Sequence, residues 1–246
     1  MEIVSLPPHP PFDKKVVILS GAGLSVASGV PTFRGAGGLW EGYRLEEVAT
    51  PEAWFADREL VRRFYDMRRE GCAAVQPNPG HDALAELQNQ WGVERVVLVT
   101  QNIDGLLQKA GAQSVIEMHG SLWRLKCERD DAHPSVAIEG EQSRDKHCAE
   151  CGGFLRPEVV WFGEVPAFMG DIGIALSQCG LFLSVGTSGQ VYPAAGFSSV
   201  ARHQVGAITV EVNPAPTGGS FGHVVADAAE TALPRIVEHW LSGTTP

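Results

Sequence analysis

Four short apolar runs, each bounded by turn residues, limit how this chain can fold more than any other feature of its sequence. They cover Val16 to Leu19, Val96 to Val99, Leu181 to Val185 and Ile208 to Val212. The first three lack the regular polar alternation of a half-exposed strand, and this absence is typical of strands buried on both faces. The runs therefore predict a parallel sheet that is covered by helices.

Segments with helical periodicity lie between these runs. One begins at Pro51 and extends toward Glu70, and another follows Gly80. A third carries apolar residues at i, i+3, i+4, i+7 and i+8, namely Leu233, Ile236, Val237, Trp240 and Leu241. Because strand and helix alternate, the predicted fold class is α/β, with a Rossmann-like, doubly wound parallel sheet.

The segment at residues 127–153 departs from this pattern. It is polar, rich in Asp, Glu, His and Cys, and has no hydrophobic period. We interpret it as a small inserted module within a single domain that spans residues 1–246, with the core at about 14–126 and 154–240. A chain of 246 residues, 44% of them hydrophobic, is long enough to bury such a core.

Charge and cysteine content exclude several classes of partner. The net charge of -10 would repel a phosphate backbone, so we expect no nucleic-acid partner. No stretch approaches the length of a membrane span, and the N-terminus lacks the pattern of a secretory signal. Five cysteines, two of them in a Cys-x-x-Cys pair, indicate metal binding or free thiols before disulfides. We expect a cytoplasmic monomer with no membrane contact.

A glycine-rich turn at residues 21–25 follows the first apolar run. Glycines after a buried strand let the backbone approach a pyrophosphate, and the next helix offers its N–H groups to the anion. A turn without a ligand stays open as an alternative, because such turns are common for steric reasons. A second glycine-rich stretch, at residues 31–40, could close over a cofactor as a loop.

Polar side chains follow the next two predicted strands. Thr100 to Asp104 comes directly after Val99, at the end of the strand where open α/β sheets present ligand-facing residues. Helix capping by Asn102 or Asp104 is an equal alternative on this evidence. His119 lies beside a glycine at another strand end, where it is either a structural residue or a general base.

Six motifs follow one another along the chain: Gly-Ala-Gly-Leu-Ser at 21–25, Pro-Thr-Phe-Arg-Gly at 31–35, Thr-Gln-Asn-Ile-Asp at 100–104, His-Gly at 119–120, Val-Val-Trp-Phe-Gly-Glu at 159–164 and Gly-Thr-Ser at 186–188. In this order they resemble the motifs of sirtuins, which are NAD-dependent protein deacylases. The resemblance covers roughly residues 14–240, and six motifs in order are far more specific than any one of them.

The resemblance implies an NAD site and a general base. The pyrophosphate would be held by Gly21, Ala22, Gly23 and Ser25, and the reactive ribose would be covered by Phe33 and Arg34, with Trp40 also against the cofactor. The nicotinamide and its ribose would be surrounded by Gln101, Asn102, Ile103 and Asp104. The adenosine half would be bound by Gly186, Thr187, Ser188, Asn213 and Ala229. His119 would be the catalytic base.

The resemblance also implies the reaction and its substrates. Acylated lysine side chains of proteins would be converted to free lysine, with nicotinamide and O-acyl-ADP-ribose as the other products. The substrate backbone would pair, as an added strand, with Val160, Trp161, Phe162, Gly163 and Glu164. The rival functions are mono-ADP-ribosyl transfer and catalytically silent binding of NAD or peptide.

Tyr65 and Arg68 are three residues apart and share one face of a predicted helix. A phenol and a guanidinium together can clamp a carboxylate. From spacing alone, a solvated basic face formed with Arg62, Arg63 and Arg69 is the favoured alternative. The pair nevertheless resembles that of sirtuins that remove succinyl and malonyl groups, which predicts a desuccinylase with secondary deacetylase activity.

Sirtuins usually carry two Cys-x-x-Cys pairs that hold a structural zinc ion, which would make the module resemble a zinc ribbon. This chain keeps Cys148 and Cys151, but its first pair has Cys127 followed by Asp130. The expected ligands are therefore the three cysteines, with Asp130 in the fourth position; a histidine in its place and loss of the metal stay open.

Overall fold

The computed structural model describes residues 6–31, 42–142 and 146–243. The strands are β1 (Lys15–Ser20), β2 (Val96–Thr100), β3 (Val115–Glu117), β4 (Gly120–Cys127), β5 (Val136–Ala137), β6 (Leu155–Val159), β7 (Cys179–Val185), β8 (Ile208–Val212) and β9 (His223–Val225). The α-helices are α1 (Leu45–Val48), α2 (Pro51–Ala56), α3 (Arg58–Ala74), α4 (Pro79–Trp91), α5 (Leu106–Lys109), α6 (Met169–Ser177), α7 (Phe197–Ser199) and α8 (Ala229–Ser242). Short 3-10 turns cover Ala22–Ser28 and Ala194–Gly196, and a π-helical turn covers Val200–Val205.

Six strands form one parallel sheet in the order β3-β2-β1-β7-β8-β9. The four apolar runs are its four central strands, so the predicted fold class is confirmed. Strand β1 pairs with β2 on one side and with β7 on the other, with Val16 opposite both Val96 and Leu181. The strand order thus reverses at β1, with β2 and β3 added on one side and β7, β8 and β9 on the other. The crevice in which such sheets bind ligands lies at this reversal, at the carboxyl ends of β1, β2 and β7.

Helices cover both faces of this sheet, which explains why the runs at 16–19 and 96–99 are apolar throughout. Val16 and Ile18 of β1 pack in the cluster that contains the inner faces of α4 and α8, including the fully buried Trp240. Val17 and Leu19 point to the opposite face and pack in the cluster formed with α6 and the helical turns at 197–205. Alternate residues therefore serve opposite cores, and none faces solvent.

A second, antiparallel sheet has the order β5-β4-β6. Helices α2 and α3 pack on it through a core that includes Trp54, Phe64, Tyr65, Leu122 and Trp161. This core also contains Ile103, which follows β2, so it adjoins the crevice of the main sheet. The division of the chain at residues 127 and 153 stays a prediction.

No helix among the described residues is both long and apolar enough to cross a membrane.

Candidate active site

The glycine turn after β1 lies directly against the loop after β7. The Gly23 N–H donates to the Gly186 carbonyl at 2.9 Å, and the Gly21 N–H donates to the Val185 carbonyl at 2.9 Å. A Cβ on Gly23 would lie 2.6 Å from the Gly186 Cα, and Gly186 itself has φ +58°. Only residues without a side chain allow this approach, so the glycines hold two loops of the crevice in backbone contact.

A hydrogen-bond network joins this turn to the polar residues after β2. The Ser25 hydroxyl donates to Asp104 Oδ2 at 2.7 Å. The Asn102 side-chain amide donates to the Gly21 carbonyl at 3.0 Å and to Ser25 Oγ at 3.2 Å. The structure therefore brings together the glycine turn, the amide and the carboxylate.

Asp104 is a buried carboxyl group, only 8% exposed. Burial raises its pKa, whereas hydrogen bonds from Leu106 and Ser25 and the positive charge of Arg68 act in the opposite direction. Its Oδ1 accepts from the N–H of Leu106, the first residue of α5, at 2.9 Å; the N-cap residue of that helix is Gly105, so the alternative of helix capping by Asp104 is wrong.

His81 is a member of this network that the sequence analysis did not single out. It is 1% exposed, and its Nδ1 lies 3.3 Å from the Asn78 N–H, which can only donate. In that tautomer Nε2 carries the proton and faces Ser25 Oγ at 3.3 Å. Burial lowers the pKa of His81 to about 4, so the ring is neutral at pH 7. Its only signal in the sequence is its place at the start of a helix.

His119 follows β3, which is the neighbour of β2 in the sheet. Its Nδ1 lies 3.1 Å from the Gln101 carbonyl, an acceptor, so Nδ1 carries the proton of the neutral ring. The other nitrogen, Nε2, then keeps its lone pair. Burial lowers the pKa of His119, so the neutral form that a general base requires is present at pH 7.

The residues predicted for the adenosine half follow the next strands along the sheet. The Asn213 side-chain amide, after β8, donates to the Thr187 carbonyl, after β7, at 2.8 Å. Ser188 beside it is exposed, and Ala229 is the buried first residue of α8. A cavity of about 110 Å³ lies between these loops and reaches from Thr187 to Gln101. Phe33, Arg34 and Trp40 lie outside the described residues.

Tyr65 and Arg68 are both buried on α3, at 0% and 8% exposure. Burial raises the pKa of both Tyr65 and Asp104, and the positive charge of Arg68 opposes that rise in both. Burial nevertheless raises the pKa of Tyr65 well above its usual value, and the phenol stays protonated. The solvated basic face favoured from spacing alone is therefore wrong for Arg68.

The other arginines of α3 have separate roles. Arg69 is buried and donates to Asp66, to the Leu122 carbonyl and to the Gly140 carbonyl, so it fastens the helix to the second sheet. Arg62 pairs with Glu59 at 2.9 Å, and Arg63 is exposed. The surface interpretation holds for Arg63 alone.

Residues 160–164 form a turn after β6. The N–H groups of the first three residues donate within the chain, to the carbonyls of His119 (2.9 Å) and Ala49 (3.0 Å) and to the Glu164 side chain (2.8 Å). The Glu164 N–H donates back into the turn at 3.0 Å. A substrate strand that pairs here would therefore use the carbonyl oxygens of the turn and the N–H of Gly163, which has φ +91°.

Three thiols and one imidazole converge in the module between β4 and β6. The ligand atoms of Cys127, His133, Cys148 and Cys151 all lie within 4.8 Å of one another. The Cys127 and Cys151 sulfurs are 3.6 Å apart, and Cys148 Sγ is 3.5 Å from His133 Nδ1. Tetrahedral zinc with Zn–S bonds of about 2.3 Å places its sulfurs about 3.8 Å apart, so the donor set fits a structural zinc ion.

The prediction of Asp130 as the fourth ligand is corrected by this geometry, since His133 occupies that position. One carboxylate oxygen of Asp130 accepts from the Ala132 N–H at 2.9 Å, and the other lies 3.7 Å from His133 Nε2. Asp130 therefore faces the nitrogen of His133 that points away from the thiols, in the place where carboxylates orient metal-binding histidines.

The family model for the Sir2 family matches residues 21–193, which is more than half of the chain. The chain belongs to the Sir2 family. A relative named NAD-dependent protein deacylase, from Escherichia coli K12, is 45% identical over 93% of this chain and 83% of its own length. A protein of the same name from Vibrio cholerae is 43% identical over 93% of this chain and 94% of its own length.

Solved sirtuin structures share the fold. A complex of a Sir2 homologue with NAD has a TM-score of 0.83 at 33% identity, over 95% of this chain and 92% of the other. A Sir2 variant bound to a deacetylated p53 peptide and 3'-O-acetyl ADP ribose has a TM-score of 0.77 at 29% identity, over 92% and 93% of the two chains.

Proposed function

We propose that this protein is an NAD-dependent protein-lysine deacylase that removes succinyl and malonyl groups and, secondarily, acetyl groups. The relatives that are called NAD-dependent protein deacylases support the reaction class. The observation that carries the acyl preference is the buried pair Tyr65 and Arg68. The positive charge of Arg68 also acts on the pKa of Asp104, in the crevice. The other products would be nicotinamide and O-acyl-ADP-ribose.

The loops at the carboxyl ends of the parallel strands would hold the dinucleotide. The glycine turn and the loop after β7, which are in backbone contact at Gly23 and Gly186, would lie against the pyrophosphate. Asn102 and Asp104, fixed by Ser25, would bind the nicotinamide half. Bound NAD would supply a ribose carbon from which nicotinamide departs. Phe33, Arg34 and Trp40 keep the roles that the family resemblance implies.

His119 would act as the general base. Its Nδ1–H is held by the Gln101 carbonyl, which orients the ring and leaves Nε2 able to accept a proton. Because burial keeps the ring neutral at pH 7, the base is ready without a preceding deprotonation. In this role His119 would accept the proton of a ribose hydroxyl.

Arg68 would select acidic acyl groups by charge. A guanidinium at 8% exposure would attract the carboxylate of a ligand more strongly than one in water, because charges interact more strongly where the local dielectric is low. Tyr65 is protonated and lies one helical turn away, so it would donate a second hydrogen bond to the same group. An acetyl group offers no carboxylate to either residue, which makes deacetylation the secondary activity.

Two further parts of the site complete the proposal. The turn at 160–164 would receive the substrate backbone beside His119, whose carbonyl it already contacts. The module at 127–153 would be held by zinc on Cys127, His133, Cys148 and Cys151, and the metal would have a structural role, since four protein ligands leave no open position.

Mass spectrometry of a peptide incubated with NAD tests the proposed function and separates its rivals. A succinylated peptide should become lighter by one succinyl group, and faster than the matched acetylated peptide becomes lighter by one acetyl group. A heavier peptide would indicate ADP-ribosyl transfer, and an unchanged mass would indicate a silent binding protein. Either result would reject the proposal.

A further inference from the structure

The indole of Trp161 contacts the acyl clamp directly. Its Nε1–H donates to the Tyr65 hydroxyl oxygen at 2.9 Å, across 96 residues of sequence. Both side chains are buried, at 2% and 0% exposure. The hydrogen bond is therefore shielded from water, and losing it would leave a buried donor unsatisfied.

The indole is held in place from several sides. The Arg156 guanidinium lies over its ring at 4.0 Å and donates to Glu164 Oε1. The other carboxylate oxygen, Glu164 Oε2, accepts from the Trp161 backbone N–H at 2.8 Å. Its environment therefore gives the indole N–H a fixed direction.

That direction determines how Tyr65 can act. An indole N–H only donates, so the phenol oxygen is the acceptor of this bond and its own proton must point away from Trp161. Burial keeps the phenol protonated. The phenol proton is thereby restricted to the remaining directions, and Arg68 lies on the same face of α3, three residues along.

We propose that Trp161 is a positioning residue that sets the acyl specificity of the site, because its indole N–H orients the Tyr65 hydroxyl as a donor to the carboxylate of an acidic acyl group. This inference rests on the proposed function, in which Tyr65 and Arg68 bind that carboxylate. It assigns to Trp161 a role in acyl selection in addition to its place in the turn that would receive the substrate backbone.

The test compares Trp161→Phe with Trp54→Phe, on succinylated and acetylated forms of one peptide. Trp54 is the matched control: it belongs to the same aromatic cluster, but its Nε1–H donates to Glu128 at 2.9 Å. We expect Trp161→Phe to lower the ratio of kcat/KM for succinyl over acetyl about tenfold, chiefly through a higher KM for the succinyl peptide. Trp54→Phe should leave that ratio unchanged. A ratio that Trp161→Phe does not change would overturn the inference and leave only a packing role.

A double-mutant cycle with Tyr65→Phe examines the route of the effect. If Trp161 acts through the hydroxyl, Trp161→Phe should have no further effect on the ratio once that hydroxyl is absent. A full effect in the Tyr65→Phe background would contradict the proposed route. The indole N–H resonance of Trp161 gives an activity-free readout: it should shift in Tyr65→Phe, and an unchanged resonance would show that the bond is not formed.

Failure of the proposed function would be seen elsewhere, in the wild-type protein. A wild-type enzyme that does not prefer the succinyl peptide would reject the acyl preference and, with it, this inference. A wild-type enzyme that prefers succinyl while the Trp161 variant keeps that preference would reject the inference alone.

Discussion

Replacement of Arg68 by Met is the most direct perturbation of the proposed acyl pocket. Methionine has a similar length and an apolar side chain, so it can fill the buried space on α3 while removing the charge. The Arg68 side chain is 8% exposed, and its positive charge acts on the pKa of Tyr65 and of Asp104. The substitution therefore removes the only cation that has been assigned to the acyl group.

The size of the effect follows from burial. Leaving one member of a buried, hydrogen-bonded charge pair without its partner costs about 2–5 kcal/mol. A value near 3 kcal/mol corresponds to a loss of roughly a hundredfold in kcat/KM for the succinyl peptide. An acetyl group has no carboxylate that would lose its partner, so we expect deacetylation to fall by less than about tenfold. Part of that loss would come from Asp104, whose pKa the charge of Arg68 now helps to lower.

The assay measures kcat/KM on one peptide that carries either a succinyl or an acetyl lysine, at saturating NAD. Arg63→Met is the matched control, because it removes a positive charge from an exposed position on the same helix. It should change neither rate. Equal losses on both peptides in Arg68→Met would refute the clamp, and so would a loss of similar size in the Arg63 variant.

Three histidines provide the remaining predictions. His119→Tyr should abolish nicotinamide release coupled to deacylation. In the wild type, kcat/KM should decline only as pH falls through the lowered pKa of His119, below 6.5, because the neutral ring is the base; a midpoint above 6.5 in the pH profile would contradict this. His81 has a folded-state pKa of about 4 against 6.5 unfolded, so its contribution to stability is complete above pH 6.5 and is lost as pH falls toward 4, by about 3 kcal/mol in all. Denaturant unfolding of His81→Asn should show a shallower loss across that window, and an unchanged slope would argue against it. Elemental analysis should find zinc in the wild-type protein and in Asp130→Ala but little in His133→Ala, since His133 faces the thiols; the opposite pattern would restore Asp130 as the ligand.

Much of the main sheet can be predicted from the sequence because its signal is local. Val16 to Leu19 is apolar at every position, since alternate residues pack against opposite helical layers. The glycines at 21 and 23 indicate a close backbone approach even before the partner, Gly186, is known. The order of six motifs identifies the family, and the family model confirms it. The monomeric state, the cytoplasmic location and the individual NAD contacts stay predictions.

Neighbouring residues of one type show where prediction from the sequence ends. Arg68 and Arg69 are adjacent on α3 and both buried, and Arg69 donates to the carbonyls of Leu122 and Gly140, which no pattern in the sequence indicates. The spacing of Cys127 and Asp130 suggests a ligand pair, but the chain turns so that His133 faces the sulfurs. In both cases the helix or turn is local, whereas the partner comes from a distant part of the chain.

The sequence by itself determined the fold class, the family and the kinds of side chain available to the crevice, because periodicity and motif order are properties of short segments. Only the tertiary structure decided which side chains meet: His81 with Ser25, 56 residues apart, and Trp161 with Tyr65, 96 residues apart. Hydrogen bonds of this kind depend on distance and direction in space to within a few tenths of an ångström, and no local pattern encodes them.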